Sequence, residues 1–558
     1  MPTSSTPEAG VLDLTDESAP LISNDSNRSD SATPDQELGL SDDQLVEEIE
    51  EEELSSRALV MVFLSLYVGV FLGALDSTIV ATLLAHIASE FNEFRSISWI
   101  ATGYMISVAA SQPLYGKISD IFGRKAMLIF ANCAFGIGSV LCGLAPNMWF
   151  LVFARVIAGI GGGGLMSLTS ITLSDIVPLR QRGLLQGLGN ILYGCGAAFG
   201  GIVGGLITEA FGWRWTFLSQ VPIIMLSLTT IILNLNLPVK DMDQVDIKSK
   251  FQRIDFLGSS TLISSLVLFL FAISIGGNYF PWFSFEVILP LFLSGALFSI
   301  FVYVELRVAK EPVIPLHLLK DRTVFGSAFT SWFMNMLYYS HIYYSAIYLI
   351  SVQGVSPTKS GSSLIPHFVG DALGSLVVGY YMRQTGRYFP MTCLAAFTLV
   401  AGSFMLTLVG LDTPRAAVLA IMFVPGFGFG LYLTITLVGL VAAVPRKYQA
   451  VSTSIQFGFK GTGSTLGVSI STAVYQNVLA SKLTERITGP NAEDIISRVK
   501  DSIDAVKTLP TDTQVLVVQS YLDSVRAVFI GATVMSVLCA IMSFLMKEHK
   551  LHGNVGRR

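Results

Sequence analysis

Charged residues are scarce in this sequence. Asp, Glu, Lys and Arg make up 13% of its 558 residues, about half of the usual share in a soluble domain, and 52% of the residues are hydrophobic. The shortage argues against a series of soluble domains and favours an all-α polytopic membrane protein. Nucleophile–base sets, metal-ligand spacings and phosphate-binding loops are missing too. We therefore expect no enzyme activity, metal, cofactor or nucleic-acid partner.

Cysteine is also rare, and its pattern excludes two kinds of chemistry. The five cysteines lie in apolar stretches, and no two have the C-x-x-C spacing typical of zinc or thiol–disulfide sites. We expect buried, reduced thiols at Cys133, Cys142, Cys195, Cys393 and Cys539.

Negative charge is concentrated near the N-terminus. Residues 1–56 are rich in Ser, Asp, Glu and Pro, and they include an acidic run from Glu47 to Glu53. Because such a segment can bury little apolar surface, we predict a disordered cytoplasmic tail. The first apolar run begins near Ala58, behind this tail, which favours an uncleaved signal-anchor over a cleaved signal peptide.

Fourteen apolar runs follow, each long enough for the ~20 residues that a helix needs to cross the hydrocarbon layer. They lie near 58–85, 97–115, 126–145, 148–174, 184–208, 215–237, 255–276, 286–306, 323–352, 361–382, 391–410, 416–444, 450–475 and 526–546. Because the number is even, both termini should lie on the same side of the membrane.

Lys and Arg indicate which side that is. One set of loops is rich in both, whereas the opposite short loops hold little beyond Arg95, Arg214, Lys359 and Arg415. The positive-inside rule then places both termini in the cytoplasm. The 477–525 segment becomes a long lumenal loop with amphipathic helix, and it could serve as a spacer or as a gate.

The connection between the second and third spans reads GKISDIFGRK, residues 116–125. Its glycines permit a tight turn, Asp120 can cap the following helix, and the basic pair should stay cytoplasmic. The stretch resembles the signature loop of the major facilitator superfamily, G-x-L-x-D-x-x-G-R-K/R. A second copy without the acid, GYYMRQTGRY, follows the tenth span, as two repeats would require. The resemblance implies a gating role for Gly116, Asp120, Gly123, Arg124 and Lys125.

Glycine is concentrated in spans four and five. Arg155 precedes AGIGGGG, whose GxGxxG spacing lies within an apolar run and favours close helix packing over a dinucleotide site. The stretch is similar to the superfamily element R-x-x-Q-G-x-G, with Ala158 in place of the glutamine. In span five, GAAFGGIVGG resembles the antiporter motif G-x-x-x-G-P-x-x-G-G, with Gly201 in place of the proline. That resemblance implies close packing at Gly196, Gly200, Gly204 and Gly205.

Three further stretches resemble a narrower group. LDSTIV (75–80), GWRWTFLSQVP (212–222) and QFGFKGTGSTLGVSIS (456–471) are similar to the fourteen-span drug:proton antiporter branch, and within it to fungal vacuolar basic amino acid transporters. The resemblance implies a major facilitator fold with fourteen transmembrane helices arranged 6+2+6. The expected units are a tail 1–56, an N-terminal half 57–237, a linker with two extra helices 238–322, a C-terminal half 323–546 and a tail 547–558.

Four ionisable groups are expected at bilayer depth, where each costs at least a few kcal/mol and is a candidate functional residue. The helical rise puts Asp76 and Arg155 at similar depths, where they could pair. Asp371 and Lys460 lie near the middle of their spans in the second half. Either pair could be purely structural. Alternatively a carboxylate, first Asp76 and then Asp371, exchanges a proton for a cationic substrate, and Arg155 or Lys460 holds an α-carboxylate.

Two polar residues of span nine, Asn335 and His341, are further candidates for binding substrate or protons. His341 could relay protons or could pack as a hydrogen-bonded core histidine. Glu305, near the cytoplasmic end of span eight, is expected to meet Arg307 or solvent.

The N-terminal tail contains one candidate address. The stretch ESAPLI is similar to the acidic dileucine sorting signal [D/E]xxxL[L/I], which directs cargo to the vacuole or lysosome through a sorting adaptor. Glu17, Leu21 and Ile22 supply its three fixed positions.

These features together favour a monomeric, proton-coupled antiporter that moves the basic amino acids Lys, Arg and His from the cytosol into the vacuole. Its expected partners are a small cationic substrate, protons and membrane lipid. The alternatives are a multidrug or weak-base:proton exporter at the plasma membrane, a siderophore carrier, and a non-transporting amino-acid receptor.

Overall fold

The computed structural model describes residues 56–91, 98–235, 247–277, 279–488, 492–501, 506 and 509–551. Within these ranges the chain forms α-helices and short 3-10 turns and contains no β-strand, in agreement with the expected all-α class. Residues 1–55 lie outside the described residues, and with them the tail and the candidate sorting motif at Glu17, Leu21 and Ile22.

The N-terminal bundle consists of the helices described before residue 236. They are α1 (Ser56–Phe91), α2 (Ser98–Phe122), α3 (Arg124–Gly143), α4 (Met148–Ile176), α5 (Leu179–Phe211), α6 (Trp213–Leu218) and α7 (Val221–Asn234). Helix α1 packs along α5, and α4 packs between α2 and α3, so the bundle surrounds an apolar core.

An inserted pair of helices follows. The short helix α8 (Ile247–Gln252) leads into α9 (Phe256–Ile275) and α10 (Phe285–Arg307). Asp255 caps the start of α9 by accepting a hydrogen bond from the backbone N–H of Gly258 at 2.8 Å. Helix α10 packs on α9, which in turn packs on α2 of the N-terminal bundle.

The C-terminal bundle begins at Asp321, which caps the first of its helices. They are α11 (Arg322–Ser351), α12 (Pro357–Ser363), α13 (Ile365–Thr385), α14 (Phe389–Thr407), α15 (Arg415–Ala443), α16 (Gln449–Arg486), α17 (Ala492–Asp501) and α18 (Thr511–Ser543). Its core lies mainly between α11, α13, α14, α15 and α18.

Ten segments of the described chain are long and apolar enough to cross a membrane, and α6 and α7 together count as one of them. Four more helices have 21 to 38 residues but carry more polar side chains; these are α2, α11, α13 and α16. Thirteen of the fourteen predicted runs thus coincide with long helices and the sixth with α6 and α7 together, while the count of fourteen spans remains a prediction.

The segment 477–525, expected as a long lumenal loop with amphipathic helix, is mostly helical in its described residues. Helix α16 continues to Arg486, α18 already begins at Thr511, and α17 lies between them. Polar residues end the apolar runs, but one face of each helix still packs. Leu483, Val499 and Tyr521 meet in a buried cluster there.

Glycine allows close helix packing in α4. A Cβ atom at Gly164 would lie 2.6 Å from the Tyr115 ring on α2 and 2.8 Å from Ala131 on α3. This agrees with the packing interpretation of the glycine-rich stretch. In α5, Gly196 and Gly200 contact the α1 backbone closely, and Gly204 is buried. Gly205 has no neighbour within 4 Å of an added Cβ, so packing does not require glycine there.

The five thiols are free, but their expected burial is only partly correct. Cys142 and Cys539 are buried and Cys195 is half-buried, whereas Cys133 and Cys393 are exposed. Cys133 and Cys393 lie on helices that also expose Phe130 and Phe397. Such faces are expected where lipid replaces water as the solvent.

The chain after α18 folds back onto the C-terminal bundle. The backbone N–H of Leu551 donates to the carbonyl of Gly386 at 3.2 Å, and the Leu551 side chain is buried. The Tyr388 hydroxyl donates to the carbonyl of Lys547 and accepts from the backbone N–H of His549. Residues 544–551 therefore belong to the folded body.

Candidate functional site

A cavity of about 160 Å³ lies where the two bundles meet. Its wall is formed by α1, α2, α4 and α5 of the N-terminal bundle and by α11, α15 and α16 of the C-terminal bundle. The lining residues include aromatic side chains, amides and hydroxyls. The aromatic members are Tyr67, Tyr104, Tyr193, Tyr338, Tyr339, Phe429 and Phe457.

The cavity wall contains one charged residue among the described residues, Lys460 of α16. Its Nζ lies 4.8 Å from the centroid of the Phe457 ring, which is a favourable position for a cation. Asn335 also lines the cavity and donates a hydrogen bond back to the carbonyl of Ser331 at 2.8 Å. Two of the six predicted binding residues therefore face the space in which a solute fits.

Asp76 and Arg155 form a buried ion pair behind this wall. Arg155 Nη1 donates to Asp76 Oδ2 at 2.7 Å, and each side chain is 1% exposed. The contact expected from their depths is thus present. The guanidinium carbon lies 4.1 Å from the centroid of the Tyr104 ring, which separates the pair from the cavity. Gln220 donates to the other carboxylate oxygen at 3.4 Å.

Asp371 lies in a different situation. It is 1% exposed, and its Oδ1 has no hydrogen-bond partner among the described residues. No ion pair links it to Lys460 in the described part of the chain, so the second acid and base do not repeat the first pair. One half of the protein holds a neutralised pair, and the other holds a separated carboxylate and amine.

His341 lies away from the cavity wall. It is 1% exposed, and its ring centroid is 6.3 Å from that of His367 and 6.3 Å from that of Phe529. Neither of its ring nitrogens has a partner among the described residues. No protein group among the described residues supplies the hydrogen bond that the alternative of a hydrogen-bonded core histidine requires.

Hydrogen bonds join the two bundles beside the cavity. Asn190 Nδ2 on α5 donates to Ser375 Oγ on α13 at 3.0 Å, and Gln186 donates to Asn190 Oδ1 at 3.1 Å. The hydroxyls of Tyr193 and Tyr339 lie 3.4 Å apart across the same boundary. The Asn190–Ser375 and Tyr193–Tyr339 contacts cross the boundary and must break if the bundles separate here, whereas the Gln186–Asn190 contact lies within α5.

The bundles are closed at one end, which we name the motif end because Gly123 joins α2 and α3 there. A Cβ at Gly116 would lie 2.5 Å from the carbonyl oxygen of Ala450, and Arg182 Nη1 donates to Gln449 Oε1 at 3.3 Å. A Cβ at Gly183 would lie 3.3 Å from the Cα atom of Gly379. Close backbone contacts at these glycines thus close the gap between the bundles at the motif end.

The predicted gating loop forms an ion-pair network. Gly123 has φ 90°, and Gly386 at the second copy of the motif has φ 68°, so both turns use the left-handed region that favours glycine. Arg124 binds Asp120 and Asp175, each at 2.7 Å. The expected capping role of Asp120 is wrong, since its carboxylate is occupied by Arg124 and α3 has no side-chain cap. Lys125 lies in the first turn of α3.

Glu311 fastens the inserted pair to this loop. Its carboxylate binds Lys117 of α2 and Arg253 before α9, each at 2.8 Å. Hydrogen bonds from Arg253 and then from Lys117 lower the pKa of Glu311 from 4.5 to about 2.

The expectation that Glu305 meets Arg307 or solvent is wrong. Glu305 is buried and accepts from the backbone N–H groups of Val313 and Ile314 at 2.9 and 3.2 Å.

A Glu311→Gln protein should melt at a lower temperature, with a loss of about 1 kcal/mol or less, because two cations lose a partly exposed partner. A group with a lowered pKa stabilises the fold fully above its unfolded pKa, here 4.5, and the effect declines below that pH until it is lost below about 2. The deficit should therefore be equal at pH 5 and pH 7.5. Thermal unfolding of the purified proteins measures it, with exposed Glu286→Gln as control. A deficit that vanished at pH 5 would contradict this assignment.

Sequence reasoning missed two residues that contact the candidates. Gln220 lies in the GWRWTFLSQVP stretch, yet its contact with Asp76 crosses 144 positions and has no local signal. His367 precedes Asp371 by four residues, a spacing that places both on one face of a helix. This spacing could have identified His367 from the sequence.

Comparison with known proteins gives a consistent result. The Major Facilitator Superfamily profile matches residues 66–468. The vacuolar membrane amino acid uptake transporter fnx2 of Schizosaccharomyces pombe is 36% identical, with 96% of this chain and 89% of that protein covered. The multidrug resistance protein fnx1 of the same organism is also 36% identical, with 88% and 93% covered.

Two further matches are informative in different ways. The vacuolar basic amino acid transporter 1 of Saccharomyces cerevisiae is 34% identical, with 76% of this chain and 79% of that protein covered. Among solved structures, the proton:xylose symporter XylE superposes with a TM-score of 0.55 at 15% identity, with 89% and 98% covered. The last match concerns the fold alone.

Proposed function

The chain belongs to the major facilitator superfamily, and on that premise we propose that it is a proton-coupled antiporter that moves basic amino acids from the cytosol into the vacuole. The superfamily comprises transporters and not enzymes. As a member, the protein is a multi-pass membrane transporter with an all-helical fold. Its relatives named above include vacuolar amino acid transporters and a multidrug resistance protein. The choice among substrates, the antiport mode and the proton coupling are the proposal.

The observation that carries the proposal is that Lys460 lies in the wall of the cavity without an ion pair to Asp371, whose Oδ1 is buried and has no partner among the described residues. An amino acid presents an α-carboxylate, which Lys460 can hold through a charge-assisted hydrogen bond. Asp371 lacks a hydrogen-bond partner at Oδ1 and can take a proton in one state and act as a carboxylate in another. Asp76 is neutralised by Arg155 in this conformation, so the geometry favours Asp371 over Asp76 as the proton carrier.

The cavity volume supports a small solute. An apolar cavity of about 150 Å³ holds a benzene-sized molecule. The cavity here has about 160 Å³ and therefore suits an amino acid better than a multi-ring drug. Tyrosine rings in the wall offer faces for a cationic side chain.

An acidic vacuole provides the driving force. Each unit of pH gradient contributes about 1.4 kcal/mol per proton exchanged. A membrane potential adds ~2.3 kcal/mol per 100 mV for each net charge moved. Alternating access would separate the bundles at the motif end and expose the cavity to the cytosol.

Membrane topology follows from the same proposal. The motif end carries Lys117, Arg124, Arg182 and Arg253, so we assign it to the cytoplasm, with both termini on that side. Helices α2, α11, α13 and α16 then cross the membrane with the ten apolar segments. This gives fourteen spans arranged 6+2+6, with the domain boundaries predicted from sequence.

Uptake of labelled lysine, arginine and histidine into vacuolar vesicles tests the proposal. Asp371→Asn should reduce ATP-dependent uptake by at least about tenfold, because an amide cannot exchange a proton. Asp76→Asn should also reduce it, since Arg155 would lose its counter-charge. Asp412→Asn, at an exposed turn, is the matched control and should transport normally. Normal uptake by the Asp371 variant would remove it as the carrier, and normal uptake by the Asp76 variant would remove any role for that residue.

The second candidate is a drug or weak-base exporter at the plasma membrane, because a multidrug resistance protein is among the relatives that are 36% identical to this chain. Locating a tagged protein, with and without Leu21 and Ile22 replaced by Ala, distinguishes the two. A vacuolar protein that moves to the plasma membrane on substitution supports sorting by an adaptor. Drug export without amino acid uptake would favour the second candidate.

A further inference from the structure

Six of the buried polar side-chain atoms that lack hydrogen-bond partners belong to residues 338–371 of α11 and α13. They are Tyr338 Oη, both ring nitrogens of His341, Ser345 Oγ, His367 Nε2 and Asp371 Oδ1, and each lacks a hydrogen-bond partner among the described residues. We name this group the polar seam. Every one of its residues is at most 3% exposed.

The seam follows one face of each of the two helices. Tyr338, His341 and Ser345 are three and four residues apart, which places them on one face of α11. His367 and Asp371 are four residues apart and share a face of α13. The rings of Tyr338 and His367 lie 5.3 Å apart between centroids, so the two rows adjoin.

The seam leads from the cavity toward the end opposite the motif. Tyr338 is part of the cavity wall. Helix α11 begins at the motif end and runs away from it, so Ser345 lies farther from that end than Tyr338. Helix α13 runs in the reverse direction, and His367, near its first residue, lies farther from the motif end than Asp371.

Leaving so many polar atoms unpaired is costly. Each buried group without a partner costs about 1–3 kcal/mol, and native proteins normally satisfy such groups with protein or ordered water. The His341 and His367 rings are 6.3 Å apart between centroids, and no direct hydrogen bond joins them. A bridging water can satisfy both.

We propose that His341 and His367, with water held by the polar seam, form a proton path between Asp371 and the end of the bundle opposite the motif. The inference rests on the proposed proton-coupled antiport and specifies its proton route. It gives the two histidines a function that a packing role does not explain.

The chemistry of each histidine suits this path. His367 Nδ1 lies 3.1 Å from the carbonyl oxygen of Met422, which can only accept, so Nδ1 carries the proton and Nε2 is free to accept another. His341 has both nitrogens free, so it can accept a proton on one and release a proton from the other. The last transfer converts the Asp371 carboxylate to a carboxylic acid, and only N–H and O–H bonds form or break.

The surroundings of the seam contain few other titratable groups. Helix α16 contributes Lys460, which interacts electrostatically with Asp371. Helix α5 contributes Tyr193, which interacts electrostatically with Tyr338. Helix α15 presents the Phe429 ring and the Met422 carbonyl, and α18 presents Phe529. A proton entering the seam therefore meets the imidazoles before it meets a carboxylate.

Two transport modes of the purified protein in liposomes test the proposal. One is labelled lysine uptake driven by an imposed pH gradient. The other is exchange of external labelled lysine for internal unlabelled lysine at equal pH, which needs no net proton movement. In His367→Asn and His341→Gln we expect gradient-driven uptake to fall at least about tenfold, while exchange stays within about threefold of the parent. Asparagine at 367 can still donate to the Met422 carbonyl, so the local fold is preserved.

His317→Gln is the matched control. His317 lies in the segment before α11, its imidazole packs against Tyr448, and it is outside the seam. It should leave both modes unchanged. Retention of gradient-driven uptake in both seam variants would overturn the proposal. So would an equal loss of both modes, because the imidazoles would then be structural. A parent protein that exchanges lysine but ignores the pH gradient would instead contradict the proposed proton coupling itself.

Discussion

An Arg155→Met protein should lose about 3–5 kcal/mol of folding stability, because the substitution leaves the Asp76 carboxylate buried without its cation. Both side chains are 1% exposed, so water cannot replace the lost partner. The guanidinium also lies 4.1 Å from the Tyr104 ring centroid, and methionine restores the packing but not the charge. The expected result is a large fall in the unfolding temperature of the purified protein and in its yield from the membrane.

Two companion variants make this result specific. Arg155→Met combined with Asp76→Asn should recover most of the stability without recovering transport, since the unpaired charge is gone but the pair is not rebuilt. Arg498→Met removes an exposed ion pair with Asp494 and should change stability by no more than about 0.5 kcal/mol. If Arg155→Met and Arg498→Met unfolded at the same temperature, the buried pair would not be the stabilising contact described here.

A Lys460→Met protein should lose affinity for amino acids but not for their decarboxylated analogues. Lys460 is the one charged residue of the cavity wall in the described chain, and a charge-assisted hydrogen bond to an α-carboxylate contributes about 1.5–3 kcal/mol. The KM for lysine should therefore rise about 10- to 100-fold. Cadaverine, which is lysine without its carboxylate, should inhibit lysine uptake with the same affinity in the variant and in the parent protein.

The matched control is Lys482→Met, which removes a partly exposed lysine paired with Glu485 on the last turns of α16. Its KM for lysine should equal that of the parent. Lysine and cadaverine losing affinity together in Lys460→Met would mean that Lys460 shapes the cavity without contacting the carboxylate. An unchanged KM for lysine would remove Lys460 from the binding site.

Sequence patterns predicted the fold well where a local signal exists. Apolar runs mark helices because lipid exposure and helical periodicity are both encoded locally, and all fourteen runs coincide with helical segments. The paired motif loops were recognisable because the sharp turns at Gly123 and Gly386 require positive φ. Depth along a helix was sufficient to bring Asp76 and Arg155 together.

The rest depends on packing between distant segments. Equal depth also suggested a pair for Asp371 and Lys460, but helix rotation around the axis decides whether two side chains meet, and no pattern specifies it. Asp120 was assigned to the nearest helix start, yet its carboxylate binds Arg124 instead. The partners of Glu305 could not be predicted from the sequence, because no local pattern indicates that residues 313 and 314 return to α10.

The return of the chain after α18 has a practical consequence for anyone who attaches a reporter to this protein. Leu551 is buried and bonded to Gly386, so a fluorescent or affinity tag fused directly behind it would press against the turn between α13 and α14. A flexible spacer should follow residue 558, and truncation for crystallisation or cryo-microscopy should stop beyond Leu551. The assays above depend on a tagged protein that folds as the untagged one does, so this choice comes first.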